Sequence, residues 1–178
     1  MMDFKQYFIY QADYQHWAND VLFSALDRLD ETSRTDPQTL FFGSIHGSVD
    51  HLGFFYSKWL NRLKGETRTA HYTSAQRTDW RQLKDNLRHE IRALQTWLEQ
   101  QPDTFFDGHL NYKRTLSHEE KGVWVRDALT HIFTYGALER GHISAAASTL
   151  GAPYPDMGYF TYRQEMGDHI ENMRKAAQ

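Results

Sequence analysis

The stretch "HIFTYGALERGHIS", His131 to Ser144, decides how the chain is read. At helical spacing His131, Tyr135, Glu139 and His142 fall at i, i+4, i+8 and i+11. They therefore share one stripe, because residues three and four apart are neighbours on a helix surface. The helical pattern extends in both directions, from about Gly122 to Leu150, and Gly151 with Pro153 and Pro155 ends it. A helix that carries imidazoles, a phenol and a carboxylate along one stripe needs facing helices to enclose them.

Those partners are readable upstream. From Phe4 to Leu29, Phe8, Tyr14, Trp17, Val21, Leu22, Ala25, Leu26 and Leu29 follow the helical period with no proline or glycine between them. "DETSRTDPQTLFFGS" is a polar loop, in which Pro37 after Asp36 signals the start of the next helix. That second helix is expected from about Gln38 to Leu63. Its Gly43, Gly47 and Gly53 each cost roughly 1 kcal/mol against alanine, so either tight packing or room for a bound group is implied. "KGETRTAHYTS" is a further loop, with Gly65 near a C-cap and Ser74 as a candidate N-cap. A third helix fits Ala75 to Gln100, burying Trp80, Leu83, Leu87, Ile91, Leu94, Trp97 and Leu98. Between Pro102 and Glu120 the alternation around Asp107-Gly108, a turn dipeptide, predicts a short hairpin or extended crossover. "MGYFTYRQEMGDHIENMRKAA" predicts a short C-terminal helix. The whole is an all-α, four-helix bundle in a single domain over residues 1–178, and bundles build their sites from side chains on facing helices.

Composition narrows the function. The 178 residues carry a net charge of −3, which offers no basic footprint for nucleic acid. No stretch approaches the roughly 20 apolar residues that span a bilayer. The early Asp3 and Asp13 argue against a secretory signal, so cytoplasm is the default expectation. There is no cysteine, which removes disulfides, thiolate metal sites and cysteine nucleophiles. Aromatic residues make up 15% of the chain, enough to fill a helical core and to line part of a pocket.

Three phrases, "YQHWANDVLFSALDRL", "FFGSIHGSVDHL" with its following "WL", and "HIFTYGALERGHISAAASTLGAPYPDMGYFTYRQE", resemble the DinB family (DNA-damage-inducible protein family). The likeness runs in order from Tyr14 to Glu165; each motif is modest, but their order and spacing are specific together. The resemblance implies a four-helix bundle, often a homodimer. It also implies a divalent metal, zinc or nickel, held by three histidines, one on helix two and two in an H-x-x-x-H on helix four. His51, in Asp50-His51-Leu52, is the retained ligand. Tyr135 and Glu139 stand where the two helix-four histidines are expected, and His142 stands where a glutamine follows Arg-Gly. Similar proteins are thiol-dependent transferases or metal-dependent hydrolases, so the implied partner is a small-molecule substrate such as a low-molecular-weight thiol. Nothing in the charge or motifs points to nucleic acid or a membrane.

The altered ligands leave three readings of the stripe open. His51, Glu139 and His142 hold a metal with Tyr135 bound or hydrogen-bonded beside it; or the same groups form a metal-free hydrogen-bond network; or some of them face solvent. Carboxylate and imidazole both bind zinc, and Glu-x-x-His is a spacing that bundle metal sites use. Tyrosine is a poor ligand because its phenol must lose a proton from a pKa near 10. A catalytic non-participant is equally consistent: a small-molecule-binding or stress-response bundle that has lost the metal. His46 lies about 140° around the helix from His51, too far to chelate with it. His131, roughly 12 Å along the axis from Glu139, reads as a capping or supporting histidine. Gly141 is expected to allow close helix approach and Arg140 to make an ion pair. His16, His71, His89, His109, His118 and His169 are expected on solvated surface.

Overall fold

The computed structural model describes residues 3–66, 79–114, 117 and 119–176, with side chains through residue 167. Six helices are present among them: α1 (Phe4–Leu26), α2 (Glu31–Thr35), α3 (Ile45–Leu63), α4 (Trp80–Glu99), α5 (Val125–Thr149) and α6 (Tyr159–Ala176). A two-stranded antiparallel hairpin, β1 (His109–Lys113) and β2 (Glu120–Trp124), stands between α4 and α5.

The helix starts follow from side-chain chemistry. Asp3, Asp30, Ser44 and Asp79 each accept a backbone N–H in the first turn that follows, satisfying donors that a helix end leaves open. The four long helices close a ring: α1 packs on α4 and α5, and α3 packs on the same two. Their apolar faces meet in one core that includes Phe8, Leu26, Leu52, Tyr56, Leu87, Ile91 and Ile132, all nearly or fully inaccessible. The expected buried face of α4 is present, with Trp97 only partly covered. Much of the aromatic content does fill this core, through Phe8, Phe23, Phe55, Tyr56, Trp59, Trp80 and Phe106. Among the described residues no helix is long and apolar enough to cross a membrane.

Several boundaries differ from expectation for identifiable reasons. α1 ends at Leu26, and α2 forms inside what reads as loop, closed by the Asp30 cap and the Arg34–Glu31 pair at 3.1 Å. α3 starts at Ile45 rather than near Gln38. Gly43 holds φ +81, a left-handed conformation that breaks any helix through it. The segment Asp36–Gly43 folds back instead, Gln38 N–H donating to Gly43 O at 2.6 Å. The start of α4 expected at Ala75, and the Ser74 cap, lie outside the described residues. Asp107-Gly108 is not the hairpin turn. It closes a 3-10 turn over Asp103–Asp107, and Gly108 is extended at φ −81 and ψ 177. The strands run on either side of residues 114–119 instead, with Asn111 opposite Gly122. β2 therefore takes residues expected in the fourth helix, which begins at Val125. α6 is longer than the short helix expected. It is tied to α1 by Trp17 Nε1 donating to Glu165 Oε2 at 2.8 Å and by Tyr162 packed on Tyr14.

Candidate functional site

The expected site residues come from α3 and α5, which are packed neighbours in the ring. The first turns of α3 place His51 beside the loop that precedes it. Its imidazole stacks on Phe42, ring centroids 3.5 Å apart at 16°, and meets the Tyr135 ring edge-on at 6.3 Å. Burial, helped by the positive charge of Lys58, pushes His51 down to about 4. Near neutral pH this imidazole is uncharged.

On α5, Tyr135 is half-buried and stacks on Phe55 with centroids 4.1 Å apart. Burial first, and then the charge and accepting oxygens of the Glu139 carboxylate one turn on, push the phenol well above its ordinary range. Glu139 is only 7% exposed, while His142 stands out into solvent with Nδ1 3.8 Å from Glu139 Oε1. The four residues thus form a line of contacts, His51 to Tyr135 to Glu139 to His142, rather than a closed shell.

Beside that line is a cavity of about 420 Å³, walled by Glu139 and His142 on α5, Ser48 on α3, and Gln38, Leu40 and Phe41 from the returning loop. Phe41 is 94% exposed and forms the lip. Reading Gln38–Ser44 as helix hid this wall; the visible signal was the run Phe42-Gly43-Ser44, a glycine and a capping serine in succession.

Among the described residues no three of His, Cys, Asp and Glu gather closely enough to hold an ion. Burial and the neighbouring Glu139 favour the protonated form of the Tyr135 phenol.

Other expectations resolve differently. His46 is buried against Trp80, centroids 5.4 Å apart, with Glu31 at 3.9 Å, well away from a shared ligand role with His51. His131 packs edge-on to Trp59 at 5.2 Å and Phe55 at 5.8 Å, a supporting position. His16 is half-buried and its protonation is disfavoured by burial, not freely solvated as expected. Of the other surface candidates, His89 and His109 are exposed; His71, His118 and the His169 side chain lie outside what is described. Arg140 makes no ion pair among the described residues. Its guanidinium, 1% exposed, donates to Gln15 Oε1 at 2.6 Å and Asn19 Oδ1 at 3.4 Å, and Tyr56 Oη donates to the same Gln15 oxygen at 3.0 Å. Gly141 faces open space. The close approach belongs to Gly136, where a Cβ would collide with the Tyr56 hydroxyl and stand 2.8 Å from Gln15 Oε1. The polar pair Gln15 and Asn19, four residues apart inside an apolar helix pattern, was the sequence signal for this network.

Fold and site together define a helical bundle with a polar pocket at the junction of two facing helices and their loop. The chain belongs to the DinB family, whose sequence model it matches over residues 1–172. No curated protein matches it closely enough to add an activity.

Proposed function

We propose that this DinB-family protein binds a small molecule in the cavity beside Glu139, with no resident metal. A Tyr135–Glu139 pair stands where the resemblance puts two metal-binding imidazoles. The observation that carries this reading is that pair: a buried carboxylate set beside a phenol that favours its protonated form has a neutral donor within its own helix and does not need a cation to offset its burial. The cavity's size suits a metabolite, and its chemistry suits a ligand that offers a hydrogen-bond donor or a cation to Glu139.

A second reading, a metal-dependent thiol transferase or hydrolase, draws support from different facts. His51 is neutral near pH 7, as a metal ligand must be, and Glu139 and His142 lie close at i, i+3. The two readings separate cleanly. Untagged protein analysed by inductively coupled plasma mass spectrometry is expected to hold far less than one zinc or nickel per chain. A small-molecule screen by thermal shift is expected to give stabilising ligands whose effect is lost in Glu139→Leu. Stoichiometric metal that disappears in His51→Ala would overturn the first reading and establish the second.

A further inference from the structure

The Glu139 cavity has a wall of one-sided charge. Glu139 is the only carboxylate among its lining residues, and none of them is a lysine or an arginine. The rest of the wall is neutral: polar at Ser48 and Gln38, apolar at Leu40, Phe41 and Ala146. Resting on the reading that a small molecule occupies this cavity, we infer that the molecule is an organic cation. Its head is an ammonium or guanidinium group on a short apolar body, and Glu139 receives its charge.

Glu139 is 7% exposed, so its carboxylate sits largely out of water, where an unbalanced charge costs far more than at the surface. Among the described residues no lysine or arginine pairs with it. Arg140, next along the chain, is engaged by Gln15 and Asn19 on α1. His142 Nδ1 stands 3.8 Å from Glu139 Oε1, beyond hydrogen-bond length, on a side chain 55% exposed. Tyr135 is a neighbouring donor, but a phenol that favours its protonated form is neutral and leaves the carboxylate charge uncancelled. The two carboxylate oxygens have about four lone-pair sites, so one hydroxyl does not exhaust them. A cation entering beside Glu139 brings both the opposite charge and further N–H donors. Charge-assisted hydrogen bonds of that kind are roughly twice as strong as neutral ones.

The same wall selects against the opposite class of ligand, because a carboxylate or phosphate would meet a like charge with no guanidinium or ammonium to offset it. The body of the ligand follows from the neutral part of the wall. Leu40 and Ala146 offer apolar surface. Phe41, 94% exposed at the mouth, meets Phe42 in a T-shaped contact at 4.9 Å and still has ring surface to offer. Such a ring packs against an apolar body and also attracts a cation through its face. The volume of about 420 Å³ has room for a ring or a short chain behind the head group.

The test is a ¹⁵N–¹H titration of the full chain near pH 7 with benzylammonium, benzyl alcohol and benzoate, which share a ring and differ in head group. Ionic strength is held constant with sodium chloride. Ala145 and Ala146 line the cavity, and their amides serve as reporters. Benzylammonium is expected to move both signals saturably and to bind about tenfold more tightly than either other probe. Glu139→Gln, similar in size but without the charge, is expected to weaken that binding about tenfold or more. Benzyl alcohol binding as tightly as benzylammonium, benzoate binding more tightly, or unchanged benzylammonium affinity in Glu139→Gln overturns the inference. The small-molecule reading survives those outcomes, since a probe still fills the cavity. No saturable shift with benzylammonium overturns the inference as well. Failure of the reading itself shows separately, as stoichiometric metal in the untagged protein. Should Glu139→Gln fail to fold, the comparison of head groups on the wild-type chain decides alone.

Discussion

At the scale of single residues, Glu139 is where the choice between carboxylate and imidazole has consequences. A buried carboxylate beside the Tyr135 phenol can be replaced by glutamine, which keeps an acceptor oxygen, so Glu139→Gln is expected to leave the unfolding midpoint almost unchanged. Glu139→Leu strands the Tyr135 hydroxyl in a half-buried position and is expected to cost about 1–3 kcal/mol in urea unfolding. A result in which both variants behave alike would mean that the Tyr135–Glu139 pairing contributes nothing. His51 supplies the pH test. Its folded pKa, about 4, lies below the ordinary 6.5, so the fold favours the neutral ring. The stability this gives is present above pH 6.5 and is lost as pH falls toward about 4, since the unfolded chain then takes up the proton first. The gap in urea midpoint between wild type and His51→Gln is therefore expected to be flat above pH 6.5 and to move in favour of the variant below it. Parallel curves across the whole range would sink this assignment. The identities of these residues and their shared stripe were legible in the sequence, because helical spacing alone fixes positions 135, 139 and 142 relative to one another. Which of them would be buried was not: Glu139 and His142 are one turn apart, yet one is enclosed and the other solvated.

Whole elements were legible where a periodic apolar face set them, and less so where a single backbone conformation did. α4 shows the first case, with its buried face present residue for residue apart from Trp97. α3 shows the second. Leu40-Phe41-Phe42 continues an apolar run that helical periodicity alone would accept, but Gly43 in the left-handed region and the Ser44 cap at Gly47 N–H, 3.0 Å, override it. The hairpin likewise depends on long-range pairing of β1 with β2, which no local dipeptide encodes. The glycines of α5 make a paired prediction at this scale. Gly136 faces α1 and α3, and an added methyl would drive apart the Tyr56, Gln15 and Arg140 groups that bond there. Gly136→Ala is expected to destabilise by about 1–3 kcal/mol as overpacking against a buried network. Gly141, in the same helix, meets nothing within 4 Å, so Gly141→Ala is expected to be neutral or to stabilise by up to about 1 kcal/mol through helix propensity. Chemical unfolding of the two variants side by side checks both, and reversed signs would reject the α1–α3–α5 packing described here.

Over the whole molecule, the aromatic residues that do not enter the core raise the question of what covers them. Phe4, Tyr7 and Tyr10 are 48%, 43% and 38% exposed and recur every three residues along one side of α1. Phe160, at the start of α6 and 75% exposed, belongs to the helix that packs against α1. Exposed apolar groups gathered on one side of a small protein mark an interaction surface more often than they mark chance. The occupant expected here is a second copy, since two-fold pairing lets one apolar stripe cover its equivalent on the partner. Light scattering at tens of micromolar is therefore expected to give twice the 21.0 kDa chain mass. Tyr7→Glu places a charge at the centre of the α1 stripe, at an exposed position whose described ring contact with the core is a single T-shaped one with Phe8 at 5.1 Å. That variant is expected to run at the single-chain mass with its helical circular dichroism unchanged. A wild-type mass of one chain would reject the pairing outright. A dimer that persists in Tyr7→Glu would move the interface off α1 and leave these aromatic residues to a different partner.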